Sequence, residues 1–196
     1  EEEFEKLPKE DVYAVIYLAA VIPSYMEEYN PESYIKTNIV GTYHVLEYCR
    51  RVHADRILFS TTVFDISLFA TDGTVLKPDL PYNFSYKGDH AVYVITKNTA
   101  IELLEHYHQE YGLKKFVFRF PTIYSYSPYH YYFPNGKKTL RPVYRMIELA
   151  MKGEPIELWG NPDYSKDMVH VYDCAQMLCE AVEACLLYTS PSPRDA

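Results

Sequence analysis

Arg56-Ile57-Leu58-Phe59-Ser60-Thr61-Thr62-Val63-Phe64 is the stretch on which the fold turns. Arg56–Ser60 reads as a short strand that runs out into a hydroxyl-rich turn. Upstream, Val12–Leu18 is a run of apolar and β-prone residues ending in Ala19-Ala20, and reads as a buried strand. Between the two, Pro31-Glu32 opens a helix that runs to about Arg51, with Tyr34, Ile35, Ile39, Val45 and Leu46 near helical spacing. Downstream, Thr71–His90 carries Gly, Pro, Asp and Asn throughout and reads as a long loop. A helix follows from about Ala91 to Tyr111, closed by Gly112. Lys115–Arg119 is the next strand. Strands alternating with helices predict parallel βαβ units and an α/β, doubly wound parallel sheet.

Beyond residue 120 the rhythm changes. Pro121–Lys138 reads as a Tyr/Pro/Gly loop, Leu140–Lys152 as a helix ended by Gly153, and Ile156–Trp159 and Met168–Val171 as short strands. Asp173–Ala184 is the last helix, with Asp173 expected as its N-cap. This part predicts a smaller lobe, mainly residues 121–172, interleaved with the main sheet. Residues 1–184 thus read as one domain with an appended lobe.

About half of the 196 residues are apolar (48%), enough for a sizeable core, and the formal net charge is -8. That balance argues against a nucleic-acid partner or a polybasic membrane surface, both of which need clustered Lys and Arg. No apolar run approaches the ~20 residues of a membrane span, so a cytoplasmic chain is expected. Cys49, Cys174, Cys179 and Cys185 form no C-x-x-C pair, which argues against a zinc site or disulfide framework. Cys49 and Cys174 lie in helical patterns and read as buried thiols. His106 and His108 are two apart on a helix and cannot face one metal together, so no metal site is expected. Tyrosine is unusually common: of 21, several crowd into Tyr124–Tyr132. A flat apolar body with a polar tip suits a ligand-lining loop, and suits an aromatic-rich surface loop equally.

The sharpest chemical feature is Tyr93-Val94-Ile95-Thr96-Lys97 at the start of a helix. Residues four apart share a helical face. A tyrosine with an ordinary pKa near ~10 is a poor base at neutral pH. A cation held beside it favours the phenolate. Such a pair can take a proton from a substrate hydroxyl while hydride leaves the same carbon. A lone Y-x-x-x-K is weak evidence, since most such pairs are surface neighbours. Context strengthens it. Ser60, Thr61 and Thr62 stand where a strand ends, and ligand sites in open α/β sheets lie at the carboxyl ends of strands. Leu18-Ala19-Ala20 offers small residues at another strand end, where a cofactor could approach closely. Asn38 is mildly unfavourable inside a helix and invites explanation.

Taken in order, Asp11, Leu18-Ala19-Ala20, Asn38-x-x-Gly41-Thr42, Phe59-Ser60-Thr61, Tyr93-x-x-x-Lys97 with Glu102, Arg119-Phe120-Pro121-Thr122-Ile123-Tyr124, Gly153-Glu154-Pro155-Ile156 and Asp167-Met168-Val169-His170-Val171-Tyr172-Asp173 resemble the NAD(P)-dependent epimerase/dehydratase family of extended short-chain dehydrogenases/reductases. The resemblance covers about residues 11–184. It implies a Rossmann-type sheet and an NAD or NADP cofactor. It implies Tyr93 as catalytic acid/base and Lys97 as the group that lowers its pKa and binds the nicotinamide ribose. A strand-end hydroxyl would complete the triad: counting back from Val63-Phe64 selects Ser60, aligning by the strand selects Thr62, and Thr61 lies between. Asn38 is implied as a structural or proton-relay residue. Leu18, Ala19, Ala20, Asn38 and Pro121 are implied to line the cofactor together with Tyr93 and Lys97. The substrate would be a small molecule, usually a nucleotide-linked sugar, held by the Tyr124–Phe133 loop and the C-terminal lobe. A homodimer through the helices around 31–51 and 91–111 is also implied.

The departures are informative. No G-x-x-G-x-x-G occurs among the seven glycines, so the pyrophosphate loop on the first strand–helix turn is missing. The chain is therefore read as a fragment lacking one or two βαβ units, roughly 60 residues, and as inactive by itself. Tyr17 stands where His is usual, Val94 and Ser125 where Gly is common, and Lys166 where Arg is usual. Family members that dehydrate sugars follow the strand-end Thr with an Asp-Glu pair. Here Val63-Phe64 follows Thr61-Thr62, which points to epimerisation or carbonyl reduction. Cys185–Asp195 (Cys-Leu-Leu-Tyr-Thr-Ser-Pro-Ser-Pro-Arg-Asp) interrupts the last helix pattern and back-translates to a transposase-library sequencing adaptor. Residues 185–196 are read as an adaptor-derived tail. Two other readings share the fold: a non-catalytic dinucleotide-binding or regulatory module, and an inactive truncated product.

Overall fold

The computed structural model describes residues 2–23, 28–70, 74–127, 129–157 and 167–184. The tail at 185–196 and the departure at Lys166 lie outside them. Three parallel strands form the main sheet in the order β1 (Ala14–Tyr17), β2 (Arg56–Thr62), β3 (Lys114–Phe120). Tyr17 stands opposite Phe59, and Phe59 opposite Val117. Parallel neighbours need long crossovers, and two helical segments supply them. The first runs from Pro31 to Arg51 and links β1 to β2. The second, α3 (Asp89–Tyr111), links β2 to β3. Gly112 ends α3 in the left-handed region at φ 71, with its N–H on the His108 carbonyl, a conformation that costs a residue without Cβ nothing.

Both faces of the sheet are covered, because side chains alternate along β2. Ile57 and Phe59 point to one face and pack with Leu46, Cys49, Ala100, Leu104 and Tyr107 from the crossover helices. Leu58 points to the other and packs with Phe116, Leu178 and Ala181. Each fully buried Leu, Ile or Phe contributes roughly 1.5–3 kcal/mol. This is the doubly wound α/β arrangement predicted from the strand–helix alternation. Cys49 and Cys174 are buried thiols as expected, and burial pushes Cys49 up to about 12. Among the described residues no helix is long and apolar enough to cross a membrane.

Several elements differ from the sequence reading. The 31–51 helix is α1 (Pro31–Tyr34), then a π-helical stretch at Ile35–Val40, then α2 (Gly41–Arg51). The 121–138 loop contains β4 (Thr122–Tyr124) and β5 (Tyr131–Tyr132). β4 pairs in parallel with β7 (Met168–His170), and β5 antiparallel with β6 (Thr139–Leu140). Leu140 is thus a strand residue, and α4 (Pro142–Lys152) begins two residues later, with Pro142 at a position where its fixed φ is pre-organised for a helix. Ile156 and Glu157 are not in a strand, while Leu158 and Trp159 lie outside the described residues. The last helix, α5, spans Val171–Glu183, and its N-cap is His170, whose ring nitrogen accepts from the Tyr172 N–H. Asp173 falls in its first turn instead, where a carboxylate complements the helix dipole.

One buried cation ties the ends of this architecture together. Arg56, at the start of β2, is 2% exposed. Its Nη1 donates to the carbonyls of Ala181 and Val182 at 3.3 and 2.9 Å, and to that of Ala184. Its Nε donates to Asp55 at 2.8 Å, and its guanidinium lies over the rings of Tyr13 and Phe116. A cation at a helix C-terminus meets orphan carbonyls and the negative end of the dipole at once. Arg56→Met keeps the apolar stem and loses the head. Its expected cost is about 2 kcal/mol, read as a lower urea midpoint at unchanged m. An unmoved midpoint would remove the clamp.

Candidate active site

The carboxyl ends of the three parallel strands meet on one edge of the sheet. Leu18, Ala19 and Ala20 follow β1, Ser60–Thr62 close β2, and Pro121 follows β3. Leu18 and Ala19 are exposed and Ala20 half-buried. Thr62 is extended, and its Oγ1 accepts from the Phe64 N–H at 3.3 Å, capping the 3-10 turn at Val63–Phe69. The helix that carries Tyr93 and Lys97 starts beside this edge.

Tyr93 is half-buried on the first turns of α3. Burial pushes its pKa up, and a hydrogen bond from Thr62 works the other way. Of the three candidate hydroxyls, only Thr62 acts on the Tyr93 phenol in this way. Thr61 is 5% exposed, and its Oγ1 finds no hydrogen-bond partner among the described residues. Ser60 is half-buried further back on the strand. The ring of Tyr93 packs 6.4 Å from that of the wholly buried Tyr34. Lys97, one turn on, is 2% exposed, and burial alone brings its pKa down to about 8. Its Nζ lies 3.9 Å from the centroid of the Phe59 ring.

Asn38 explains itself once the fold closes. It sits in the π-helical stretch, 2% exposed. Its Oδ1 accepts from the Val21 N–H at 2.8 Å, and its Nδ2 donates to the Val21 carbonyl at 3.0 Å and to Thr96 Oγ1 at 3.0 Å. Thr96 Oγ1 in turn donates to the Tyr93 carbonyl at 2.9 Å. One amide thus pins the backbone that leaves β1 to the turn of α3 between Tyr93 and Lys97. The Asn38 carbonyl accepts from Thr42 Oγ1 at 2.6 Å. A π-helical stretch shifts the backbone pairing by one residue and is frequent at functional sites.

A second polar cluster lies below the site. Asp65 is fully buried and paired with Arg119, whose Nε and Nη2 donate to Oδ2 at 3.1 and 3.0 Å. Burial pushes the Asp65 carboxyl up in spite of this partner. Arg119 Nη1 also donates to the Pro78 carbonyl at 2.8 Å, and the Asp65 carbonyl accepts from the Asn83 N–H at 2.7 Å. The pair therefore fastens the long segment between β2 and α3. Sequence reasoning quoted Arg119 and missed Asp65. It also missed Thr96, whose signal was a polar residue beside the Tyr-Lys pair.

The aromatic segment after β3 presents exposed Tyr124, Tyr126, Tyr129 and Tyr131. Behind it, His130 stacks on Tyr144 at 4.2 Å, and the Tyr144 hydroxyl exchanges hydrogen bonds with the Ser127 backbone. Among the described residues no group of three or more His, Cys, Asp or Glu could hold a metal ion.

The family model for the NAD dependent epimerase/dehydratase family matches residues 1–187. A UDP-glucuronate 4-epimerase of Thermodesulfobacterium geofontis is 27% identical over 165 residues, covering 84% of this chain and 46% of that protein. A dTDP-glucose 4,6-dehydratase of Salmonella typhimurium is 28% identical over 192 residues, covering 84% and 46%. The chain spans about half the length of the curated relatives it matches. Among solved structures, a UDP-N-acetylglucosamine 4-epimerase from Methanobrevibacter ruminantium in complex with UDP-N-acetylmuramic acid superposes with a TM-score of 0.70 at 20% identity, covering 94% of this chain and 55% of that one. A UDP-glucose 4-epimerase from Thermus thermophilus in complex with NAD gives 0.68 at 22% identity, covering 88% and 54%. At these identities the superpositions speak for the fold.

Proposed function

Since this chain belongs to the NAD dependent epimerase/dehydratase family, we propose that it forms the catalytic and substrate half of a nucleotide-sugar epimerase or reductase that works with NAD or NADP. The observation that carries the reading is the convergence of a Thr62 hydroxyl, the Tyr93 phenol and a buried Lys97 amine where parallel strands end. The nicotinamide would supply reversible hydride acceptance. The residues present fit that group: Ala19 and Ala20 leave room at the end of β1, and Lys97 is the cation for ribose hydroxyls. Tyr93 takes the proton of a sugar hydroxyl as hydride leaves the same carbon, and returns it when the ketone is reduced again. Thr62 donates to the phenolate and completes the triad in preference to Ser60 or Thr61. The substrate lies between the strand ends and the lobe at 121–172, with its tyrosines as lining.

Dehydration needs an acid to protonate the departing hydroxyl. The first carboxylate after Thr62 is Asp65, which is fully buried on Arg119. This supports epimerisation or simple carbonyl reduction. The helices of residues 31–51 and 91–111 lie side by side, joined by a 2.6 Å hydrogen bond from the Tyr107 hydroxyl to Glu47. They leave Val40, Tyr43 and Ile95 exposed, which supports a homodimer through their outer faces.

The test is made on the gene product that carries this chain. Nicotinamide fluorescence is expected to saturate on titration with NADH, and NMR is expected to show C4 epimers or reduced sugar formed from UDP-sugars. A folded gene product that carries a glycine-rich loop and still binds no nicotinamide cofactor would overturn the reading in favour of a regulatory module.

A further inference from the structure

Burying a cation costs free energy unless something meets its charge. For Lys97 burial is the sole resolved influence, and no carboxylate among the described residues contributes to its titration. The nearest titratable groups in the fold are Tyr93, one turn back on the same helix, and Tyr17, which packs on Phe59 from β1. Burial pushes both phenols up, so neither offers a negative charge at neutral pH. What meets the ammonium is an aromatic face. Phe59 is 1% exposed, and its ring centroid is 3.9 Å from Lys97 Nζ. The ring face carries the negative lobe of the quadrupole, and its attraction for a cation grows as water is removed.

Phe59 is itself held in place. Tyr17 stands opposite it in the β1–β2 register, with ring centroids 5.7 Å apart and planes at 41°. The Tyr17 hydroxyl lies 3.4 Å from Thr42 Oγ1 and donates to the Thr37 carbonyl at 3.5 Å. The anchor thus runs from the 31–51 helix through Tyr17 to Phe59 and ends on the ammonium.

We propose that Phe59 is a positioning residue for the hydride-transfer site: its ring face holds the Lys97 ammonium beside Tyr93, and Tyr17 holds the ring. The role in turnover rests on the Tyr93–Lys97 reading above, whereas the contact itself can be measured without cofactor or substrate. Mono-, di- and trifluorophenylalanine at position 59 drain the ring quadrupole in steps while nearly preserving its shape. A contact that served only as packing would not respond to the series. In the full chain with 13C-labelled lysine, the Lys97 Cε shift is followed by NMR from about pH 6 to 11, a range that brackets the ordinary lysine value. The Lys97 signal is assigned by its loss in Lys97→Met. The expected result is a stepwise fall in the Lys97 pKa, about one unit across the series. A constant or rising value overturns the proposal. Unchanged turnover in Tyr93→Phe would sink the catalytic reading and leave the titration result standing, so the two failures are distinguishable.

Discussion

Replacing Tyr93 with phenylalanine is expected to lower kcat of the gene product that carries this chain by about a thousandfold, the usual worth of a placed acid/base. The cofactor affinity is expected to stay within a few-fold, because the ring still packs on Tyr34 and the Tyr93 carbonyl still accepts from Thr96. On the proposed role of Thr62, Thr62→Val is expected to reproduce part of that loss, because its hydroxyl opposes the upward push of burial on the phenol. Ser60→Ala is expected to leave most of the rate intact. Steady-state kinetics on UDP-sugars decides the matter. Turnover within threefold of the parent in Tyr93→Phe would end the claim that its proton moves in the reaction.

Lys97→Met is expected to make the fold more stable while destroying the site. An amine brought from 10.5 to about 8 by burial carries a penalty on the order of 3 kcal/mol at pH 7. The Phe59 ring returns part of it, so the net gain on substitution is about 2–3 kcal/mol. The sign fixes the pH window. A base whose folded-state pKa lies below its unfolded value is destabilising when charged in both states, fully so below pH about 8. The penalty fades as pH rises from there to the unfolded value of 10.5. The advantage of Lys97→Met should therefore be largest near neutrality and shrink toward pH 10.5. Paired urea unfolding curves at several pH values measure it. A variant less stable than the parent at pH 7 would show that the amine is not paying a burial cost.

How much of this was legible beforehand follows from the range of each interaction. β1, β2 and β3 were readable because short apolar runs bounded by polar or small residues suit buried strands. α3 was readable from its length and from Gly112. The Tyr93–Lys97 pair was readable because it is local, four residues apart on one helix. Asn38 stood out as a polar residue in a helix, yet its partners did not, since Val21 and Thr96 lie 17 and 58 residues away. The π-helical stretch that presents Asn38 has no signature in the apolar pattern, because Ile35 and Ile39 keep ordinary helical spacing across it. Asp65 and Arg119 are 54 residues apart, so neither reveals the other. Ser60, Thr61 and Thr62 could not be separated in the sequence because three hydroxyls stand in a row and the two alignments, by Val63-Phe64 and by the strand, select different ones. His170 was passed over as an N-cap because Asp173 is the more usual residue for that place.

The guanidinium of Arg56 finds its carbonyls 125 to 128 residues later in the chain. That separation sets an order of events. A ribosome releases β2 long before Ala181, Val182 and Ala184 exist, so until they emerge this arginine must remain hydrated and the face of Leu58 and Phe116 uncovered. This face of the sheet is closed only when α5 docks, so its last turn completes a core whose strands lie far earlier in the chain.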